Sequence, residues 1–174
     1  MSFFKAVTMP APLLEMPEAL WKTLIEHLRT QGKGVRESGA FLLGQKTDSG
    51  RIATRFLPYE ELQADALHDD YVALSAASFA KLWNLCRAGN LNVVADIHTH
   101  RLGPGQSRSD RTNPMVALSG HLAFIVPRFA QGEVQLQDLG MYVYQGDHKW
   151  NAFSGADVGR LVRLTKREGF HEIA

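Results

Sequence analysis

Cysteine is nearly absent: Cys86 is the single one in 174 residues. That excludes an intrachain disulfide and any cysteine-rich zinc ribbon, and it points to a reducing compartment, so a cytoplasmic location is expected. A charge excess is missing too, since 19 Lys and Arg stand against 18 Asp and Glu for a net +1. Such a balance provides no general attraction to nucleic acid or to an anionic membrane, and neither is expected as a partner. No apolar run approaches the roughly 20 residues that span a bilayer. The opening MSFFKAVTMPAPLLEMPEAL lacks a basic leader followed by a long apolar core and reads as mature protein. Repeats and low-complexity tracts are absent, and the turn-like TDSG at 47–50 and LGPG at 102–105 are too short for linkers. Residues 1–174 are therefore expected to form one domain, long enough to bury a core without a disulfide or a structural metal.

What is present is an alternation of helical and strand periods. Within 17–31, Leu20, Trp21, Leu24, Ile25 and Leu28 fall on one helical stripe between Pro17 and Gly32. AFLLGQ at 40–45 and RIATRFLPY at 51–59 flank TDSG and read as a hairpin, with Glu37 just before its first strand. Phe79, Leu82, Trp83 and Cys86 take helical spacing with a core-facing stripe; Gly89-Asn90 then breaks the helix and NVVADI at 92–97 begins a buried strand. Asn113 is expected to cap a short helix with Pro114 in its first turn and Gly120 at its end. HLAFIVPRF and VQLQDLGMYVY read as further strands. Ser154 and Asp157 resemble a capping box opening a last helix through about Arg167. The order predicts an α/β sandwich of helices around a mixed sheet.

The strand at 92–97 runs straight into HTHRLGPGQSRSD at 98–110. Side chains two apart on a strand share a face, so His98 and His100 can aim both imidazoles at one ion while Thr99 points away. A catalytic zinc keeps an open position beside three protein ligands, and one carboxylate would complete the set. Asp110 is the nearest candidate, because Gly103, Pro104 and Gly105 allow the chain to reverse over the strand end. Hydrolysis also needs a carboxylate that is not a ligand, to move the proton of an attacking water, and a hydroxyl donor for the developing oxyanion. Ser107 and Ser109 both lie near enough in sequence for the latter.

His98-Thr99-His100, six residues, Ser107, two residues and Asp110 resemble the H-x-H…S-x-x-D signature of the JAMM (JAB/MPN-type) zinc metalloproteases. Glu37-Ser38-Gly39-Ala40-Phe41-Leu42-Leu43-Gly44 resembles the strand that carries that family's catalytic glutamate. The resemblance implies one zinc per chain held by His98, His100 and Asp110, Glu37 as general acid/base and Ser107 as oxyanion stabiliser. It also implies a three-layer α-β-α sandwich of the cytidine-deaminase-like, JAB/MPN type. This chain departs from the family in having six rather than seven residues before the serine, and Arg101 where a proline usually follows the second histidine. The serine with the family's internal spacing to the aspartate is Ser107. Without long insertions, the chain looks most like compact bacterial members encoded beside ubiquitin-like conjugation systems. The activity so implied is hydrolysis of the bond after the C-terminal tail of a ubiquitin-like protein, with that protein or its conjugate, and E1-like and E2-like proteins of the same system, as partners.

Each part of the motif has a plainer reading as well: strand-end histidines are common, Ser107-x-x-Asp110 is a plausible capping box, and Glu37 alone would be a solvated carboxylate. It is their combination that is specific. His27, His68, His148 and His171 read as surface or packing residues, and His121, which could line the same sheet end, as a satisfied structural histidine. A non-catalytic scaffold would be expected to have lost the site. A metal-dependent phosphoesterase would need more ligands than His121 and Asp138 offer downstream. Arg101, Arg108 and Arg111 crowd the loop and are expected either to be solvated or to steer a substrate.

Overall fold

Strand-forming runs that alternate between two buried faces organise the protein, whose computed structural model describes residues 12–166. The elements are β1 (Leu14–Pro17), α1 (Glu18–Gly32), β2 (Gly39–Thr47), β3 (Gly50–Pro58), α2 (Tyr59–Leu62), α3 (Ala76–Ala88), β4 (Asn92–Thr99), α4 (Arg108–Thr112), β5 (Leu122–Val126), β6 (Gly140–Gly146), β7 (Lys149–Ser154), α5 (Ala156–Leu161) and β8 (Val162–Thr165). The strands form one sheet of eight in the order β7-β6-β5-β4-β2-β3-β1-β8. It is mixed: β4 runs parallel to β5, and β1 runs parallel to both β3 and β8, while the other pairings are antiparallel.

Because side chains alternate along a strand, β2 serves two cores. Ala40 and Leu42 pack with Leu24 and Leu28 of α1 and with Phe124. Phe41 and Leu43 face the other way, into a cluster with Tyr59, Leu82 and Val93 that α3 covers. The sheet is thus covered on both faces, as a fully buried central strand requires. No helix among the described residues is long and apolar enough to cross a membrane.

Several expectations need correcting. No helix spans 113–120; the short helix is α4, and Asn113 follows it, returning its side-chain amide to the Ser109 carbonyl at 3.3 Å. The Asn-Pro signal therefore marks the end of one helix rather than the start of another. Within 134–144, Leu136–Asp138 is a single 3-10 turn, and the strand begins at Gly140. Ser154 caps nothing. Gly155 precedes α5, which stops at Leu161 because Val162–Thr165 joins the ladder to Leu14–Pro17, and Arg167 lies outside the described residues. Trp83 is 37% exposed rather than core-facing, whereas Cys86, one turn on, is buried.

Candidate metal centre

The strand period that places His98 on the α3 face also places Asp96 and His100 there. His100 lies one residue past β4, and its position is fixed by backbone bonds on both sides: its N–H donates to Val126 O at 2.9 Å and its carbonyl accepts from Phe129 N at 2.8 Å. The imidazole Nε2 atoms of His98 and His100 lie 3.0 Å apart. Glu37 arrives from the segment before β2. Its N–H donates to the His68 carbonyl at 2.9 Å, and the neighbouring Ser38 exchanges backbone and side-chain bonds with Thr99 at 2.9 and 3.0 Å. Gly39 completes this junction, because a Cβ there would lie 2.4 Å from the Tyr59 ring.

The loop from Arg101 to Ser107 is held down at its middle. Tyr142 Oη donates to the Pro104 carbonyl at 2.7 Å, and the same carbonyl would lie 2.1 Å from a Cβ at position 140, so only glycine permits that approach. Ser107 then caps α4: its Oγ accepts from Asp110 N at 3.1 Å, and its own N–H donates to Asp110 Oδ2 at 2.6 Å. The capping box and the site are the same residues. It turns the Asp110 carboxylate inward, with Oδ1 3.4 Å from His98 Nε2 and Oδ2 3.3 Å from His100 Nε2.

These distances test which groups fit a metal ion. A tetrahedral ion with ligands at about 2.0–2.1 Å has ligand–ligand edges of about 3.3–3.4 Å. Asp110 approaches the two imidazoles at 3.4 and 3.3 Å through different oxygens, Oδ1 toward His98 and Oδ2 toward His100, and the His98–His100 edge of 3.0 Å is slightly short. Glu37 Oε1 lies 3.8 Å from His100 Nε2, about as far above the tetrahedral edge as the histidine pair lies below it, and Glu37, His98 and His100 form a group whose ligand atoms lie within 4.8 Å of one another. Two nitrogens facing each other at hydrogen-bond distance across a carboxylate suit a shared cation.

The electrostatics agree. Burial pushes the Glu37 carboxyl up, against the pull of His98 and His100, and the charges of Asp110 and Asp70 raise it further. Burial also disfavours ionised Asp110, but hydrogen bonds with His100, His98 and Ser107 outweigh it and hold this carboxyl well below the usual carboxylate range. Burial would lower His98; the hydrogen bond and charge of Asp110, with Asp96 and Glu37 behind them, raise it instead. One carboxyl is thus favoured as the anion among imidazoles, while burial shifts the other toward its protonated form.

Beneath the centre, Asp96 Oδ1 lies 2.6 Å from His121 Nε2, and both residues are buried. His121 is thus a satisfied structural histidine. The expected packing roles of His27 and His68 also hold, through Glu60 at 2.7 Å and a stack on Tyr71 at 4.2 Å, while His148 is exposed and His171 lies outside the described residues. Asp96, the partner of His121, and the His68 carbonyl, which holds the Glu37 backbone, were not singled out from the sequence. For the first, the i−2 spacing from His98 was an available signal.

Two clefts open beside the centre. One, of about 310 Å³, runs from Glu37, His98 and Asp110 toward Phe79, Met115 and Trp150; it takes in both Ser107 and Ser109. The other, of about 430 Å³, is lined by His100, Arg101, Leu102, Gly103 and Ser107. Ser107 borders both clefts, Ser109 the first alone. Arg101, Arg108 and Arg111 are exposed, and of the three only Arg101 lines a cleft at the centre. The Arg111 carbonyl accepts from Trp150 Nε1 at 3.2 Å.

No family model matches the chain. It is similar, at 22% identity over 153 residues, to a protein named "Probable metalloprotease y4jG" from Sinorhizobium fredii (strain NBRC 101917 / NGR234), covering 86% of this chain and 93% of that protein. The likeness spans nearly the whole of both chains. Two solution structures share the fold. Protein DSY2949 from Desulfitobacterium hafniense superposes with a TM-score of 0.65 at 12% identity, over 88% of this chain and 94% of that one. A protein from Salinibacter ruber (strain DSM 13855) does so with a TM-score of 0.55 at 16% identity, over 91% and 96%. A Glu/His/His cluster suited to a metal ion and a distant metalloprotease relative therefore coincide in this chain.

Proposed function

We propose that the chain is a JAMM-type (JAB/MPN) zinc hydrolase with the α-β-α, cytidine-deaminase-like fold of that family, and that it cleaves the bond after the C-terminal tail of a ubiquitin-like protein. The single observation that carries the reading is the split between the two carboxylates: Asp110 reaches both imidazoles, with Oδ1 3.4 Å from His98 and Oδ2 3.3 Å from His100, whereas Glu37 approaches His100 alone, at 3.8 Å. His98, His100 and Asp110 are the ligands. When bound, zinc supplies Lewis acidity for water activation and carbonyl polarisation. Glu37, with its carboxyl raised by burial, takes the proton of the attacking water and returns it to the leaving amine nitrogen. Ser107 donates its hydroxyl hydrogen to the developing oxyanion; its Oγ lone pair is occupied by the Asp110 N–H, which leaves the O–H free to do so.

The metalloprotease relative supports hydrolysis with a metal ion, and the sequence resemblance alone supports a ubiquitin-like protein or its conjugate as substrate. E1-like and E2-like proteins of a bacterial conjugation system are the further partners, in a reducing cytoplasm. The exposed arginines steer the body of that substrate. The test is metal analysis of purified protein joined to mass spectrometry of a ubiquitin-like fusion after incubation. About one zinc per chain is expected, lost in His98→Ala, His100→Ala and Asp110→Ala, with cleavage directly after the tail. Full zinc occupancy in all three variants would refute the assignment.

A further inference from the structure

A second cavity, of about 580 Å³, lies at the opposite end of β4, where Asn92 and Val93 line it, and it shares no lining residue with the cleft at Glu37 and His98. Six residues of strand separate Asn92 from His98, about 20 Å at 3.3 Å per residue. Three cations line the cavity, Lys46, Arg51 and Arg87, and no carboxylate does. In a chain of net +1 this is a local excess.

The arrangement of two of these cations is costly. Lys46 and Arg51 are direct cross-strand partners in the β2–β3 hairpin, the placement in which like charges destabilise a sheet. Neither forms an ion pair among the described residues. Arg51 is half-buried, and among the described residues its guanidinium donates only to the Gly120 carbonyl and meets no carboxylate, which leaves a partly desolvated charge there. An anion seated between Lys46 and Arg51 relieves both penalties. Beside them Trp83, 37% exposed although it sits on a helix that packs on the sheet, lines the same cavity, as do Asn90, Asn92 and Ser119.

We propose that this cavity binds a nucleoside phosphate, its phosphates held by Lys46, Arg51 and Arg87 and its base stacked on Trp83. Guanidinium groups bond phosphate oxygens in a forked geometry, and stacking on an indole is tolerant of the base. The size falls within the range of small-molecule sites. The inference draws on no residue of the metal centre and stands or falls apart from the hydrolase reading.

The test is calorimetric titration of the full chain as purified with ADP and with pyrophosphate, alongside NMR of the backbone amides and indoles. Saturable binding of one ADP per chain is expected, shifting the Trp83 indole and the amides of Asn92 and Gly120. Lys46→Gln and Arg51→Gln should each weaken ADP binding about tenfold or more. Trp83→Ala should weaken ADP about tenfold while changing pyrophosphate less than about twofold. Thermal unfolding checks that Arg51→Gln is folded, and the exposed Lys46 supplies a second variant if it is not. The proposal is overturned by the absence of saturable ADP binding up to millimolar concentration, by shifts centred on His98 and His100, or by unchanged affinity in both Lys46→Gln and Arg51→Gln. Equal loss of ADP and pyrophosphate in Trp83→Ala would also overturn it, since the indole would then not be reading a base.

Discussion

Replacing Glu37 by Gln separates two ligand sets that both lie within reach of one ion. If Asp110 is the carboxylate ligand, Glu37, 3.8 Å from His100 Nε2, is not needed to hold the ion, and the variant should keep about one zinc per chain. Turnover should nevertheless collapse, because the amide preserves shape but cannot accept the water's proton. A positioned general base contributes about 10²–10⁴-fold, equivalent to about 3–5 kcal/mol of transition-state stabilisation. KM should stay near that of the parent, since Glu37 acts on the water and the leaving nitrogen rather than on the substrate body. Folding should not suffer either: burial raises the Glu37 carboxyl, so removing its charge removes a group that the interior disfavours. The assay is elemental analysis of the purified variant with steady-state cleavage of a ubiquitin-like fusion followed by mass spectrometry. Loss of zinc would make Glu37 a ligand in the group with His98 and His100 and would release Asp110 from that role. Undiminished kcat with zinc retained would show that the base lies elsewhere.

Ser107→Ala should lower kcat about 100-fold or more with little change in KM, and should also destabilise the fold by about 1 kcal/mol through loss of the α4 cap; Ser109→Ala should be mild, and the reverse ranking would give Ser109 the oxyanion role. Arg101→Glu and Arg108→Glu should raise KM for a whole ubiquitin-like substrate, with the parent's advantage shrinking as salt is added, while a short tail peptide is cleaved as before. Equal losses on both substrates would move these arginines to the reacting atoms. Asp96→Leu should cost about 3 kcal/mol or more, because it strands buried His121, and Asp96→Leu with His121→Leu should recover much of that loss in denaturant unfolding. A double variant no more stable than the single one would mean that the pair is not the source of the loss.

Much of the site could be read from local spacing. The i, i+2 rule put His98 and His100 on one face, and Ser107-x-x-Asp110 was recognisable both as a helix cap and as part of the zinc motif; the structure makes it a cap that also turns Asp110 onto the histidines. Both properties depend on backbone geometry within a few residues, which sequence spacing determines. Local signals failed where two readings of the same residues competed. Asn113-Pro114 served equally well as the end of α4 or the start of another helix, and the polar contact back to Ser109 decided it. Trp83 fell on a helical stripe with Leu82 and Cys86, yet that stripe is wider than the surface that α3 buries.

The sequence by itself determined the residue types at the centre, the strand that bears the histidines and the turn that returns Asp110, because each is set by the conformational preferences of a short stretch. Only the tertiary structure decided how far Glu37 stands from the histidines, 61 residues away in the chain at the nearer one, since that distance is set by β2–β4 register and by Ser38 bonding to Thr99. It alone decided that residues 162–165 would be a strand, because their partner is Leu14–Pro17 at the far end of the described chain, and a parallel ladder to so distant a segment overrides the helical reading of 162–165. It alone brought Trp83, on a separate helix, to the Lys46–Arg51 pair that the two-residue hairpin turn sets locally. Contacts between remote segments are chosen by what the whole sheet can bury, and no local window of sequence contains that comparison.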